Sequence, residues 1–355
     1  MNTQIGHTED INRYLNRLYR ENKRLFACHA DSPEKVLEWQ QRARPALCKL
    51  IGLDRIQEDQ GNHQTTAELE EPDDMGEYTR QLGVLHSEAH VNIPFWFLKP
   101  KTDGPFPLGI FPHGHSKRGF DTYVGIYHDE ETRLKIEREE RDVAVQAVRN
   151  GFVAIAPTTR GFEPAAVPDI NGRHGDRDCR SQLMHCLLAG RTSIGERVWD
   201  TQKMIDWATS LPYVDSDRIL MMGNSGGGVV TIYASACDTR VTVSVPSCSF
   251  CTFVGKNGLI HHCDCNAVPG ILNFGEFWDV AGLIAPRHLC IVNGKQDPLF
   301  PIHEVDRAVE GVGRIYDSAG VPERFAHHYG EGGHRFYREL MWPSIHHAIH
   351  KVPGV

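Results

Sequence analysis

The sequence lacks any long hydrophobic run: no stretch approaches the roughly 18 consecutive apolar residues of a membrane-spanning helix. Its first ten residues contain neither a basic stretch nor an apolar segment, so no signal peptide is visible. A basic stripe is also missing, and the net charge of −8 leaves no surface that would neutralise phosphates. We therefore expect no membrane and no nucleic-acid partner, and a cytoplasmic protein, or a secreted one if a leader was removed.

What is present is enough for a large core, because 40% of the 355 residues are hydrophobic. The ten cysteines are not needed as staples in a chain of this length. Cys290, for example, lies inside an apolar run, which is typical of a small buried side chain. We expect reduced thiols.

The periodicity of apolar residues changes near residue 76. Residues 1–75 predict a helical N-terminal extension and linker, with a polar loop from Asp54 to Asp74; its helices either form a dimer contact or pack on the sheet. Residues 76–355 predict an α/β domain, in which Lys135–Asn150 is one amphipathic helix and Ser116–Leu134 a long loop. Alternating strands and helices indicate a mostly parallel sheet with helices on both faces, which binds ligands at the carboxyl ends of its strands.

A G-x-S-x-G pattern at residues 223–227 follows a predicted strand and precedes a predicted helix. In that context it predicts a sharp turn carrying a nucleophilic serine, Ser225. Gly223 and Gly227 are small because strand and helix approach closely there. The turn places the hydroxyl at a helix N-terminus, where free N–H groups favour a developing oxyanion. The alternative is a glycine-rich turn with an incidental serine.

A serine needs a base to take its proton and an acid to orient that base, and both are found downstream. Asp297 follows a predicted buried strand, and His334 lies in a glycine-rich loop after the next one. The order serine, acid, histidine is the one expected of the α/β-hydrolase class. Asp264 and Asp279 are rival acids, but neither follows a strand so clearly.

The second part of an oxyanion hole is expected upstream of the nucleophile. The His-Gly-His sequence at residues 113–115 follows a short apolar strand, as such loops do in this class. We predict that the backbone N–H groups of His115 and Gly226 hold the oxyanion. The imidazole of His115 either lines the pocket or is structural.

Together these residues resemble the acetyl xylan esterase-like branch of the dienelactone hydrolase superfamily. The resemblance spans roughly Gly76 to His334, and its motifs lie at residues 113–115, 195–200, 223–227, 245–248, 261–265, 285–287 and 293–297. It implies an α/β-hydrolase that cleaves carboxylic esters, often acetyl or methyl esters on plant polysaccharides, with Ser225, Asp297 and His334 as the triad.

One segment departs from that pattern. After the predicted strand Phe152–Ala156 the family often carries an aspartate, whereas this chain has Arg160, which either meets the substrate or pairs with an acid of the protein. His113, Arg118 and Trp278 are further pocket candidates, and the aromatic ring of Trp278 is weighed as a sugar-stacking wall against a core position.

Four cysteines allow a different interpretation. Cys248, Cys251, Cys263 and Cys265 lie near His261 and His262, and their C-x-x-C and C-x-C spacings permit zinc or a disulfide. A buried, reduced cluster is favoured, because serine catalysis needs no metal or cofactor.

The sequence therefore predicts a serine esterase that removes acetyl or methyl esters from carbohydrates, through an acyl-enzyme on Ser225. A lactone-opening or peptidase-type hydrolase with the same triad is the alternative. A ligand-binding protein on a hydrolase scaffold is the non-enzymatic one.

Overall fold

The computed structural model describes residues 7–169, 172, 178–255, 258–260 and 263–349. Its helices are α1 His7–Arg20, α2 Pro33–Leu50, α3 Leu53–Gln60, α4 Gly119–Tyr123, α5 Glu130–Glu139, α6 Val143–Arg149, α7 Asp178–Ala189, α8 Ser193–Ala208, α9 Gly226–Cys237, α10 Ile271–Phe274, α11 Phe277–Gly282, α12 Ile302–Ser318 and α13 Arg338–Ile349. Its strands are β1 Thr66–Leu69, β2 Asp73–Asp74, β3 Tyr78–Glu88, β4 Val91–Pro100, β5 Phe106–Ile110, β6 Val153–Pro157, β7 Val214–Asn224, β8 Val243–Ser247, β9 Val254–Gly255, β10 Gly258–Leu259, β11 His288–Gly294 and β12 Phe325–Gly330.

One large sheet organises the chain, in the order β1-β3-β4-β6-β5-β7-β8-β11-β12, with β2 paired to β3. In this spatial order, the neighbouring strands β6, β5, β7, β8, β11 and β12 run parallel to one another. Strands β1, β2, β3 and β4 form an antiparallel edge. A hydrophobic cluster covers each face, one beneath α2, α8, α9 and α11 and the other beneath α6 and α13. The predicted α/β class is confirmed, with the parallel strands forming the half that carries the nucleophile turn.

The N-terminal part is joined to the rest of the fold through both a helix and a strand. Val36, Trp39, Ala43 and Leu47 recur on one face of α2 and are buried in the main core, where each larger side chain contributes about 1.5–3 kcal/mol.

The polar loop predicted from Asp54 to Asp74 is wrong in part, because it contains α3 and β1. Strand β1 pairs antiparallel with β3, so its half-buried residues depend on a tertiary partner that local patterning does not reveal. A domain boundary at residue 75 stays a prediction.

The single helix predicted for Lys135–Asn150 is also wrong. Helix α5 ends at Glu139, and α6 starts at Val143. Between them Glu140 adopts a left-handed conformation with φ 54°, which ends a helix. Only Ile136 of α5 is buried, whereas six of the seven residues of α6 are, so a continuous apolar stripe does not exist here. The long loop predicted before them contains α4 and the start of α5.

Helix α1 exposes three apolar side chains on one face, Ile11, Tyr14 and Leu18. Contact between copies of the chain through this helix stays a prediction. Within the described ranges no helix is long and apolar enough to cross a membrane.

Candidate active site

Ser225 stands at the tip of a sharp turn between β7 and α9. Its backbone has φ 58° and ψ −125°, a conformation that non-glycine residues rarely adopt and that costs about 1–3 kcal/mol. The turn is held from the neighbouring strand, because the Ser225 N–H donates to the Ser247 carbonyl at 2.9 Å. The side chain therefore projects beyond the carboxyl end of β7, as the pattern predicts.

The two glycines of the pattern are required by close backbone contacts. A Cβ on Gly227 would stand 1.9 Å from the carbonyl oxygen of Pro112, and one on Gly223 would stand 2.5 Å from the Gly227 carbonyl carbon. Real Cβ atoms do not reach such distances, so β7, α9 and the segment after β5 pack backbone against backbone. The predicted need for small residues here is explained by that three-way contact.

Asp297 and His334 form a hydrogen-bonded pair beside this turn. The distance from His334 Nδ1 to Asp297 Oδ2 is 2.7 Å, and the second carboxylate oxygen accepts the Leu299 N–H at 3.0 Å. The Asp297 carboxylate is buried, whereas 22% of the His334 side chain is exposed. An acid held in this way fixes the tautomer and orientation of the ring, leaving Nε2 as the basic nitrogen.

The loops that carry this pair are tied to each other and to the serine turn. Strands β11 and β12 are parallel neighbours, and the Gln296 N–H donates to the Gly332 carbonyl at 2.9 Å. The carbonyl of Arg335, one residue after His334, accepts from Asn224 Nδ2 at 3.3 Å and from Ser247 Oγ at 3.1 Å. The histidine loop is thus bonded directly to the residue before the nucleophile.

The loop after β5 reaches the same turn from the opposite side. A Cβ on Gly114 would meet the Gly226 nitrogen and the Ser225 Cβ at 3.1 Å each, and one on Gly226 would meet His115 Nδ1 at 3.1 Å. The two amides predicted to form the oxyanion hole, those of His115 and Gly226, therefore belong to segments in contact beside Ser225. Their role stays a prediction.

A cavity of about 390 Å³ opens over the nucleophile. Its lining includes Ser225, Gly226 and His115 together with the apolar side chains of Phe162 and Phe300. The Phe300 ring stacks on the His334 imidazole with centroids 6.2 Å apart. The volume lies in the range of small-molecule sites, so the serine, the histidine and a ligand-sized space share one end of the sheet.

Part of the sequence also matches a known protein family. Residues 137–255 match the model of the family acetyl xylan esterase (AXE1). The predicted resemblance is confirmed. The match covers the helices and strands that build the nucleophile turn, and it supports a hydrolase of the esterase type, as the sequence predicts.

Individual proteins resemble this chain in sequence or in structure. Protein YtaP of Bacillus subtilis (strain 168), which is named as a hydrolase, is 27% identical over 259 residues, covering 71% of this chain and 81% of its own length. The structure of methylesterase BT1017 superposes with a TM-score of 0.68 at 19% identity, covering 98% of this chain and 68% of that one. A glucuronoyl esterase from Solibacter usitatus gives a TM-score of 0.61 at 14% identity, covering 88% and 92%.

His113, a predicted pocket residue, lies under the site instead of lining the cavity. It is 1% exposed, its Nε2 accepts the Thr159 N–H at 3.0 Å and its Nδ1 donates to the Gly114 carbonyl at 2.7 Å. Burial lowers the pKa of His113 to about 4, so the ring is neutral and fixes the loop before His115. The pocket prediction is wrong because the ring turns inward to satisfy backbone groups.

Arg160 is likewise structural. Its guanidinium is buried and donates to Asp200 Oδ2 at 2.9 Å and to Glu88 Oε1 at 2.8 Å, with Glu196 Oε2 at 3.5 Å. Two of these acids lie one turn apart on α8, in the motif at residues 195–200 on which the family resemblance partly rests. The substrate interpretation of Arg160 is wrong, and its alternative, pairing with acids of the protein, is confirmed.

The other two pocket candidates also have partners within the protein. Arg118 pairs with the buried Asp121 at 2.6 Å and covers the Phe120 ring. Trp278 packs on Gly311 of α12, with the Arg24 guanidinium 5.7 Å from its ring centre. Neither side chain lines the cavity over Ser225, and a role of either one in substrate binding stays a prediction.

The rival acids are engaged elsewhere. Asp264 accepts from Arg180 Nε at 2.8 Å, and Asp279 forms a capping box with Glu276 at the start of α11. Asp297 is thus the acid of the three that contacts His334.

The cysteines divide differently from the predicted cluster. All ten are free. Cys248 donates to the Arg335 carbonyl at 3.4 Å under the histidine loop, and burial raises its pKa to about 12, which keeps it a neutral thiol. Cys251 packs in a small separate cluster with Phe300. His261 and His262 lie outside the described residues.

Cys263 and Cys265 instead meet two residues that the sequence interpretation did not group with them, Cys179 and His115. Hydrogen bonds from Cys179 and Cys263 lower the pKa of the Cys265 thiol, and the nearby Arg197 guanidinium lowers it further. Burial lowers the pKa of His115, but hydrogen bonds to the two thiols outweigh it and raise the value to about 9. The residues were missed because Cys179 has no spacing motif around it.

Proposed function

We propose that this chain hydrolyses carboxylic esters of carbohydrates through an acyl-enzyme on Ser225. The observation that carries the proposal is the 2.7 Å pair of His334 and Asp297 beside a serine in a strained strand-to-helix turn. The acetyl xylan esterase family match over residues 137–255 supports the ester class.

The chemistry follows from the arrangement. Nε2 of His334 takes the hydroxyl proton as Ser225 attacks the ester carbonyl, and Asp297 stabilises the resulting imidazolium. The bond between the acyl carbon and the ester oxygen then breaks, and His334 gives the proton to the departing sugar oxygen, which leaves as a hydroxyl. A water molecule, activated by the same imidazole, releases the acid and regenerates the serine. The amides of Gly226 and His115 hold the negative oxygen in both tetrahedral intermediates.

We further propose acetyl esters on xylo-oligosaccharides as the preferred substrates. The cavity of about 390 Å³ suits a small acyl group with part of a sugar. Methyl esters of uronates are the second candidate, because a neighbour in fold is named as a methylesterase. The exposed ammonium of Lys117 at the cavity wall would favour a uronate.

A product assay separates these substrates. Acetate and methanol release are measured on acetylated xylo-oligosaccharides, methyl-esterified uronates, a lactone and a peptide, with the wild-type protein and Ser225→Ala. Acetate release that Ser225→Ala loses by at least about 10³-fold supports the proposal. Methanol release alone transfers it to uronate esters.

Covalent labelling tests the mechanism independently of the substrate. A fluorophosphonate reacts with a serine activated by a histidine, and the labelled peptide is identified by mass spectrometry. An adduct on Ser225 that Ser225→Ala and His334→Ala lack is expected. Wild-type protein without an adduct would favour a binding protein on a hydrolase scaffold.

A further inference from the structure

Four metal-ligating groups converge at the wall of the cavity, opposite the histidine loop. They are His115 from the loop after β5, Cys179 from the first turn of α7, and Cys263 and Cys265 from the segment before α10. Their Nε2 or Sγ atoms all lie within 4.8 Å of one another. Cys179 and Cys265 are buried and Cys263 is half-buried, whereas His115 as a residue is exposed at the cavity while its Nε2 atom faces the Cys265 thiol.

The distances fit a tetrahedral metal site. Zinc binds thiolate at about 2.3 Å and imidazole at about 2.0–2.1 Å, so a regular tetrahedron has edges of about 3.8 Å between two sulfurs and about 3.6 Å between sulfur and nitrogen. Cys179 Sγ lies 3.7 Å from Cys263 Sγ, and Cys265 Sγ lies 3.4 Å from His115 Nε2. A disulfide, in contrast, needs sulfurs about 2.05 Å apart and would leave the remaining thiol and imidazole unused.

A buried cation beside the cluster supplies the matching charge. Arg197 is 3% exposed and directs Nη1 at Cys265 Sγ, 3.1 Å away. Its other side-chain partners are neutral oxygens of Arg160, Gln182 and Asn266. In the part of the chain that the structure describes, no carboxylate lies within ion-pair distance of it. A guanidinium in that position needs an anion, and a zinc centre with three thiolates and one imidazole carries a single negative charge.

We propose that His115, Cys179, Cys263 and Cys265 bind one zinc ion. Zinc displaces three protons from the four groups in all, which leaves three thiolates and a neutral imidazole whose Nε2 lone pair the metal accepts. Four protein ligands fill the coordination sphere, which is the pattern of a structural site and not of a catalytic one. The ion joins three segments far apart in sequence, and Cys179 and Cys263 line the cavity together with Ser225. Bound zinc would therefore fix the positions of the cavity-lining residues His115, Cys179 and Cys263, and would hold the His115 amide beside Gly226.

Metal content tests the site without any assay of esterase activity, so failure of the proposed function would leave the result standing. The chain is produced without a histidine tag in zinc-supplemented medium, purified under reducing conditions, passed through a chelating column and analysed by inductively coupled plasma mass spectrometry. We expect about one zinc per wild-type chain. Wild-type protein without bound zinc would overturn the proposal.

Matched variants assign the ligands. The zinc content of Cys179→Ser and of Cys263→Ser is expected to be at least about tenfold lower than that of wild type. Cys186→Ser, which removes a buried thiol from the helix that carries Cys179, is expected to keep the wild-type zinc content. Equal zinc in all three variants contradicts the assignment. A Cys179–Cys263 disulfide in the reduced, zinc-supplied protein, detected by peptide mass spectrometry, contradicts it as well.

A spectroscopic measurement needs no variant and so does not depend on their folding. Cobalt(II) added to zinc-stripped wild-type protein is expected to give the intense visible bands and near-ultraviolet thiolate charge-transfer band of a tetrahedral cysteine-rich site. Weak bands of octahedral cobalt alone would exclude the three thiolates as ligands.

Discussion

The two sides of the cavity over Ser225 are built in different ways. On one side Asp297 and His334 follow β11 and β12, which are neighbouring parallel strands, and their loops are bonded to each other and to the serine turn. On the other side a loop, a helix and a short 3₁₀ segment bring together groups 84 and 150 positions apart. Regular sheet geometry positions the first side, whereas specific side-chain contacts position the second.

The largest predicted effect tests the first side. Asp297→Asn preserves shape but removes the negative charge that orients His334 and stabilises its protonated form, so kcat is expected to fall about 10⁴-fold with little change in KM. Steady-state kinetics on the preferred ester measure this. Asp264→Asn is the matched control, because its carboxylate pairs with Arg180 outside the triad. A comparable loss of kcat in Asp264→Asn would contradict the assignment of Asp297 as the acid of the triad.

This contrast explains what could be predicted from the sequence. Ser225, Asp297 and His334 each follow a strand of the parallel part of the sheet, and a parallel sheet brings the carboxyl ends of its strands to one edge, so order along the chain is sufficient. The partners of Arg160 and Trp278 come from elements distant in sequence, whose packing no local pattern encodes, whereas Arg118 pairs with Asp121 three residues along the chain. Position in a loop, or between the nucleophile and the acid in sequence, predicts a pocket role for these side chains, yet each one has partners within the protein.

The cysteines illustrate the same limit. Spacing alone grouped Cys248 and Cys251 with Cys263 and Cys265, although β8 carries the first two toward the histidine loop and the α12 side. The signal that was available lay in residues 195–200, since Arg197 from that motif contacts Cys265.

The second prediction concerns the buried ion pairs of Arg160, which lie next to the side of the cavity that carries His115 and the three cysteines. Arg160→Met leaves the Asp200 carboxylate buried without its cation, whereas Glu88 keeps its pair with Arg191, so the free energy of unfolding is expected to fall by about 3–5 kcal/mol. Chemical denaturation measures it. Arg314→Met removes an exposed pair with Glu310 and is expected to cost less than about 1 kcal/mol. Equal losses of unfolding free energy in the two variants would show that the buried ion pairs of Arg160 stabilise the protein no more than an exposed pair does.

The third prediction compares one aromatic residue from each side. Phe300 stacks on His334, whereas Phe162 contacts the edge of His115 with ring centroids 5.0 Å apart. Each contact contributes about 0.5–1.5 kcal/mol. Phe300→Leu is therefore expected to lower kcat by about two- to tenfold, and Phe162→Leu to raise KM by a similar factor. Identical changes of kcat in both variants would remove the functional distinction between the two sides.

The smallest effect is expected outside both sides. Trp278→Phe keeps a ring against Gly311 and lies in a different cavity, which Cys28 and Gly311 also line. Because no part of that cavity is shared with Ser225, kcat/KM on acetylated xylo-oligosaccharides should stay within about twofold of wild type, even where losing part of the indole lowers stability by about 1 kcal/mol. Activity and unfolding are measured on the same preparation, with Phe300→Leu as the positive control. A KM increase in Trp278→Phe that matches or exceeds that of Phe162→Leu would restore the indole as a sugar-binding surface and extend the substrate path beyond the cavity over Ser225.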